Sequence, residues 1–193
     1  ERVLAHLAIA RERVVVEMLT GTDDEVVTSG WDVQKADGLA RLIELTGNRA
    51  LPGFTAPKLL WLRKHEPDAY ARIRSILLPK DYVRRRLTGE HAIGVADASG
   101  TRLLDVAGRR WSGEVLDALE IPTAWLPQVL ESPAVSGATA EGVPVAAGAG
   151  DCAAAGLGVG ADRPGPVSVV LGTSGVVFAA LPLDPIISFI AAA

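Results

Sequence analysis

The chain has 193 residues, 49% hydrophobic and 22% charged, with a formal net charge of −4 at pH 7. That composition belongs to a globular chain with material for a real core, long enough for one large or two small domains. The acidic balance argues against nucleic acid as a partner, and neither a signal peptide nor a membrane span is expected.

Cys152 is the only cysteine, so no intrachain disulfide can form and a reducing cytoplasm is the expected compartment. His6, His65, His91 and Cys152 show no metal-ligand spacing, so no metal-binding residue is assigned. There is no internal repeat.

In chain order, Glu1 to Gly38 declares no chemistry. It reads as an amphipathic helix running into the strand-like VVVEML, then a polar, turn-rich stretch whose charges form a solvated face. Leu39 to Leu45 predicts a helix that Thr46-Gly47-Asn48 can end. Pro57 suits the first turn of the next helix. In that helix Leu59, Leu60, Trp61 and Leu62 form the apolar face, while Lys58, Arg63 and Lys64 stay wet. A further helix starts at Pro67 with Tyr70 and Ile73 inward, and Ile76-Leu77-Leu78 is a short buried strand.

Lys80 to Leu87 predicts a helix capped by Thr88-Gly89. Its run Arg84-Arg85-Arg86 reads as a solvated face rather than a phosphate site. His91 to Thr101 reads as a loop, with Asp97, Ser99 and Thr101 in turn chemistry rather than ligand contact. Asp105 to Glu120 predicts a turn and then a helix capped by Ser112, with Trp111 and Leu116 as a hydrophobic staple. Ile121 to Val135, with its prolines, reads as an irregular surface connection.

Val143 to Gly160, VPVAAGAGDCAAAGLGVG, is the stretch that carries chemistry. The apolar run Val143 to Ala147 predicts a short buried strand. Gly148 and Gly150 permit a tight turn. Asp151 then opens a helix of small residues, where the backbone dipole favours a negative charge. One reading makes Asp151 an ordinary helix cap. The other makes it a carboxylate that takes a proton from a substrate hydroxyl, with room for a ligand because its neighbours are small. The Cys152 thiol beside it reads as buried and inert rather than reactive.

After the linker ADRPGP, two β-branched runs, Val167 to Leu171 and Val176 to Ala180, flank Gly172-Thr173-Ser174-Gly175 and predict an antiparallel hairpin. Its turn is either a plain tight turn or one whose amides and hydroxyls converge on phosphate. The apolar IISFI of the tail would normally be covered.

These motifs together carry a resemblance. Gly53 to His65, GFTAPKLLWLRKH, resembles the first signature of the FGGY carbohydrate kinases, including Lys58, Trp61 and the polar pair at its end. The likeness continues through LLPKDYVRRRLTGE, DASGT, LDVAGRRWS, LPQV, GAGDCAAAGLGVG and LGTSGVVFA, over roughly Leu45 to Ala180. Within the family it is most similar to xylulokinases, where PGFTAPKLLWL and LLPKDY recur.

The resemblance implies an α/β actin-like, ribonuclease-H-like ATPase fold, here incomplete, in which ATP and sugar meet between two domains. Residues 1–38 stay unassigned, 39–162 fall in the first, sugar-binding domain, and 163–193 begin the ATP-binding one. Asp151 matches the general base of the family's GxGD motif, with Cys152 beside it at the substrate. Gly172 and Thr173 match the turn facing the ATP phosphates. The implied reaction is MgATP-dependent phosphorylation of a sugar hydroxyl, D-xylulose to D-xylulose 5-phosphate. The implied partners are the sugar and ATP, with no nucleic acid and no membrane, and a homodimer is allowed for.

In glycerol kinases a sugar-side Tyr stands where this chain has Gly53, and Gln where it has Cys152. Both differences argue against glycerol and leave another pentulose or polyol as the alternative. The family's opening DxGTxxxK segment has no counterpart in Glu1 to Asn48, and residues 186–193 continue the pattern poorly. The chain is therefore expected to be a central section of a kinase and inactive by itself. A non-catalytic fragment or homologue is the alternative of a different class.

Overall fold

The computed structural model describes residues 14–16, 39–50, 54–171, 175–180 and 189–192. Expectations for the rest of the chain, including Gly53, Gly172 and Thr173, lie outside the described residues. The chain divides into two compact units, Glu1–Ala147 and Gly148–Ala193.

The first unit is a set of short helices around small strand pairs. Strand β1 (Val14–Val16) runs parallel to β2 (Ser75–Leu77), Val15 opposite Ile76. Helix α1 (Leu39–Thr46) stops where expected: Gly47 takes a left-handed φ of 72° and its amide donates to the Ile43 carbonyl at 2.8 Å. Helix α2 (Thr55–His65) carries Pro57 in its first turn. Leu59 to Leu62 are all buried, so this helix is enclosed around its circumference there rather than amphipathic. A single apolar face was the expectation. Arg63 is also half-buried rather than wet, because it donates to the Leu119 carbonyl at 2.7 Å.

Helix α3 (Pro67–Ala71) leads through buried Ile73 into β2, and α4 (Pro79–Thr88) follows. Gly89 ends α4 at φ 80°, its amide donating to the Arg85 carbonyl. The predicted loop at 91–101 is instead strand β3 (Ala92–Gly94) followed by helix α5 (Val95–Gly100). Ala92, Ile93, Val95 and Ala98 of this segment are buried, and its polar Asp97, Ser99 and Thr101 are half-buried or buried rather than set out on a loop.

A hairpin of β4 (Leu104–Asp105) and β5 (Arg110–Trp111) leads to α6 (Gly113–Ala118). Ser112 caps α6 as expected, its Oγ accepting from the Val115 amide at 3.3 Å.

The stretch 121–135 is less irregular than expected. It holds a 3-10 turn, Thr123–Trp125, and strand β6 (Gln128–Leu130), which runs parallel to β3 with Ile93 opposite Val129. Buried Ile121 and Leu126 hold this connection against the main core beside Leu42, Leu59 and Ile73. Strands β7 (Val135–Ala138) and β8 (Pro144–Ala146) close the unit as an antiparallel pair. The strand predicted before the Gly-rich turn is thus present, but half to fully exposed rather than buried until Ala147.

The second unit packs helix α7 (Asp151–Gly158) on a sheet of β9 (Val167–Leu171), β10 (Gly175–Ala179) and β11 (Phe189–Ala192). The predicted hairpin is present, with Val176 opposite Val170. Strand β11 pairs with the far edge of β10, which gives part of the apolar tail a partner. The helix meets the sheet closely at Gly156: a Cβ built there would run into the ring of buried Phe178. Gly156→Ala is therefore expected to destabilise the protein by about 1–3 kcal/mol, the usual cost of overpacking. In urea denaturation, adding Phe178→Ala should cost less than the sum of the two single changes, because the methyl then has space.

Candidate active site

Asp151 is the first residue of α7, with Gly150 in extended backbone as its N-cap. It is exposed, and its Oδ1 accepts from the Cys152 amide at 2.8 Å. The cap position belongs to glycine, so Asp151 is not the helix's capping residue. A carboxylate in the first turn sits beside the free N–H groups at the positive end of the helix dipole. The helix that follows it, CAAAGLG, is built of small residues up to Leu157 and leaves the carboxylate uncrowded by its own helix.

Cys152 is partly buried, and burial pushes its thiol above the ordinary value, with the Asp151 carboxylate adding to the rise. It is therefore a poor thiolate, in line with an inert side chain.

Ala147, the last residue of the first unit, is buried and its backbone is held on both sides. Its amide donates to the Ala134 carbonyl at 2.8 Å. Its carbonyl accepts two charged donors, Lys80 Nζ at 3.0 Å and Arg84 Nη1 at 2.8 Å. Gly148 then takes φ 75°, a left-handed turn open to glycine.

Lys80 and Arg84 both come from α4 and belong to a buried ionic cluster. Asp81 has no exposed surface; its Oδ1 meets Lys80 Nζ at 2.6 Å and Arg84 Nη2 at 3.1 Å. Lys80 also reaches Asp97 Oδ2 at 2.9 Å. Arg84 is 4% exposed, and the same Nη2 donates to the Ala92 carbonyl. Two cations thus face two anions, which is how such charges are tolerated away from water. Burial pushes the Asp81 carboxyl above the usual carboxylate range, against the pull of Lys80 and Arg84.

This overturns the reading of Arg84-Arg85-Arg86 as a solvated face. Arg84 stands three residues after Asp81, on the inner side of α4, while Arg86 is exposed. Asp97 is ion-paired rather than idle in a turn, whereas Ser99 and Thr101 do make the expected local bonds, to the Ala96 and Ala98 carbonyls at 2.6 Å each. Lys80 and Asp81 were not singled out in the sequence. The signal was there: adjacent opposite charges in a first turn, with an Arg at i+3 of the acid.

Arg102 is a second buried cation. It adopts φ 64°, stacks 3.7 Å over the Phe54 ring, and donates to the carbonyls of Arg49 at 3.1 Å and Ser99 at 3.0 Å. Burial lowers its guanidinium to about 10, which still leaves it charged at neutral pH. Among the described residues no group of three or more His, Cys, Asp or Glu side chains could hold a metal ion.

Comparison with known proteins decides the family. Residues 12–158 match the model of the FGGY family of carbohydrate kinases, N-terminal domain. The chain belongs to that family. It is 46% identical over 144 residues to the xylulose kinase of Escherichia coli K12, and 45% identical over 145 residues to that of Klebsiella pneumoniae. Each match covers 70% of this chain and 30% of the relative, so the chain spans about a third of the length of the curated relatives it matches.

A solved xyloylose kinase from Brucella ovis superposes with a TM-score of 0.73 at 43% identity, over 79% of this chain and 34% of that one. The fold class is the expected one, α/β and actin-like, in part. No helix among the described residues is long and apolar enough to cross a membrane.

His91 gives this region a pH response. Its Nε2 shares a hydrogen bond of 2.6 Å with Ser75 Oγ. Burial, reinforced by Arg85 and Arg84, holds its pKa below the ordinary 6.5. Below about pH 6.5 the unfolded chain therefore takes up a proton that the native imidazole refuses, so stability falls as the pH drops. Denaturation midpoints at about pH 7.5 and 5.5 should show that loss, and His91→Gln should shrink it.

Proposed function

We propose that the protein transfers the γ-phosphate of MgATP to a hydroxyl of a ketopentose, D-xylulose, giving D-xylulose 5-phosphate and ADP. The observation that carries this reading is the exposed carboxylate of Asp151 at the start of α7, inside the GAGD turn of an FGGY-family chain. The names of the relatives, xylulose kinases, support the choice of sugar.

In the proposed reaction Asp151 accepts the proton of the attacking hydroxyl. The sugar oxygen bonds to the γ-phosphorus, the bond from that phosphorus to the bridging oxygen breaks, and ADP leaves. Such transfers rest on positioning and charge neutralisation more than on covalent chemistry. An acid fixed on a helix start, uncrowded by its own helix, suits the role of base. Cys152 lies beside it as a small substrate-side residue.

Magnesium enters with the nucleotide as part of the co-substrate; the described residues offer no cluster to bind it independently. Gly172 and Thr173 are proposed to face the ATP phosphates. In the same reading residues 39–162 belong to the sugar-binding domain and 163–193 to the start of the ATP-binding one, and a homodimer is allowed for. The single cysteine suits a cytoplasmic setting.

Two measurements test the proposal. In the full-length protein Asp151→Asn should lower kcat by at least ~10², the low end for a general base, while sugar binding stays measurable. Retained kcat would remove Asp151 from the role. In a coupled ADP assay D-xylulose should be preferred over glycerol; a glycerol preference would overturn the substrate assignment.

A further inference from the structure

We infer that His91 is a pH-operated fastener between two strand pairs of the first unit, closed while its imidazole is neutral and opened when Nε2 takes up a proton. Among the described residues the β1–β2 pair and the β3–β6 pair share no ladder of hydrogen bonds. His91 stands immediately before β3 and is bonded to both pairs. Its backbone carbonyl accepts the amide of Gln128, the first residue of β6, at 3.1 Å. Its side chain reaches the other pair, where Nε2 lies 2.6 Å from the Oγ of Ser75, the first residue of β2.

The hydroxyl of Ser75 fixes the protonation state of the ring. Ser75 is 8% exposed, so its proton has little water to go to. Nε2 is the partner of that hydroxyl among the described residues. A buried donor without an acceptor is costly, so the O–H donates and Nε2 accepts. Nε2 then carries no proton, and the proton of the neutral ring stands on Nδ1. A hydrogen bond from the ring to the Ile76 backbone fits that tautomer.

A proton on Nε2 reverses this arrangement. Two donors then face each other, and Ser75 must turn its hydrogen away from its acceptor. The charged groups facing the ring are both cations, Arg85 and Arg84 of α4, and Arg84 has its charge answered by Asp81 at 3.1 Å. Ser75 and the Ile76 backbone from β2, and Gln128 from β6, carry no charge. Glu90, the preceding residue, is exposed to water, where its charge is screened. The Ile76 backbone favours a charged ring, but burial and two cations oppose it. Both β2 and β3 are buried along their length, so an imidazolium gains water only when the start of β3 leaves β2.

The test is hydrogen exchange read by mass spectrometry on the full-length protein at about pH 7.5 and about pH 5.5, corrected for the intrinsic pH dependence of exchange. An opening that returns the imidazole to its ordinary 6.5 is favoured at the lower pH by about tenfold at most. Peptides covering β2 and β3 should therefore lose about threefold to tenfold of their protection, while α1 and α6 change by less than about twofold. His91→Gln keeps an acceptor for Ser75 without a titrating ring, so protection of the same peptides should become independent of pH.

No loss at β2 and β3, an equal loss across the unit, or a pH dependence that persists in His91→Gln overturns the proposal. Should His91→Gln fail to fold, nitrogen-15 NMR of the wild-type protein decides. At about pH 7.5 His91 should carry its ring proton on Nδ1 and none on Nε2, and a proton on Nε2 overturns the fastener.

Discussion

Asp81 is a carboxylate with no exposed surface, and much of the first unit is arranged to answer it. An isolated charge in the interior is too costly to persist, so cations must come to it. Lys80 and Arg84 do so from the same helix, and each brings a connection to elsewhere in the chain: Asp97 on α5, the carbonyl of Ala92 on β3, and the carbonyl of Ala147 after β8. Short strands of two or three residues have few ladder bonds of their own. The cluster supplies fixed points among them that backbone pairing alone does not.

The second unit solves a different problem, the close approach of a helix to a sheet. Gly156 removes the side chain where α7 meets the Phe178 ring. A helix of small residues is intrinsically a poor core element, because it buries little apolar area per turn. Its value is proximity and room. The same small residues that let α7 lie close to β10 leave the carboxylate at its start uncrowded by its own helix.

Local signals were legible in the sequence, and long-range ones were not. Gly47, Gly89 and Ser112 announced helix ends because each performs its task within a few residues of itself. The strand–glycine–acid pattern likewise announced Asp151 at a helix start. The pairing of β3 with β6 was missed: three-residue strands show no periodicity, and Ile93 finds Val129 only through the fold. The charge run at 84–86 treated three arginines as equals, yet helical geometry turns Arg84 inward toward Asp81. The pairing of Lys80 and Arg84 with the Ala147 carbonyl was invisible for a deeper reason. Its acceptor is a backbone carbonyl, which every residue has, so no side-chain type marks it.

Arg102 carries a practical consequence for anyone who would make this protein more robust. A non-glycine residue at φ 64° is a standard target for replacement by glycine, which relieves the steric conflict of the left-handed region. At this position the remedy would discard more than it restores. From that backbone the guanidinium stacks on the Phe54 ring and donates to the Arg49 and Ser99 carbonyls. Glycine would relax the chain and leave those carbonyls and that aromatic face without their cation. Strain at residue 102 is therefore an engineering constraint to be kept, and design rules that score backbone angles one residue at a time will choose wrongly there.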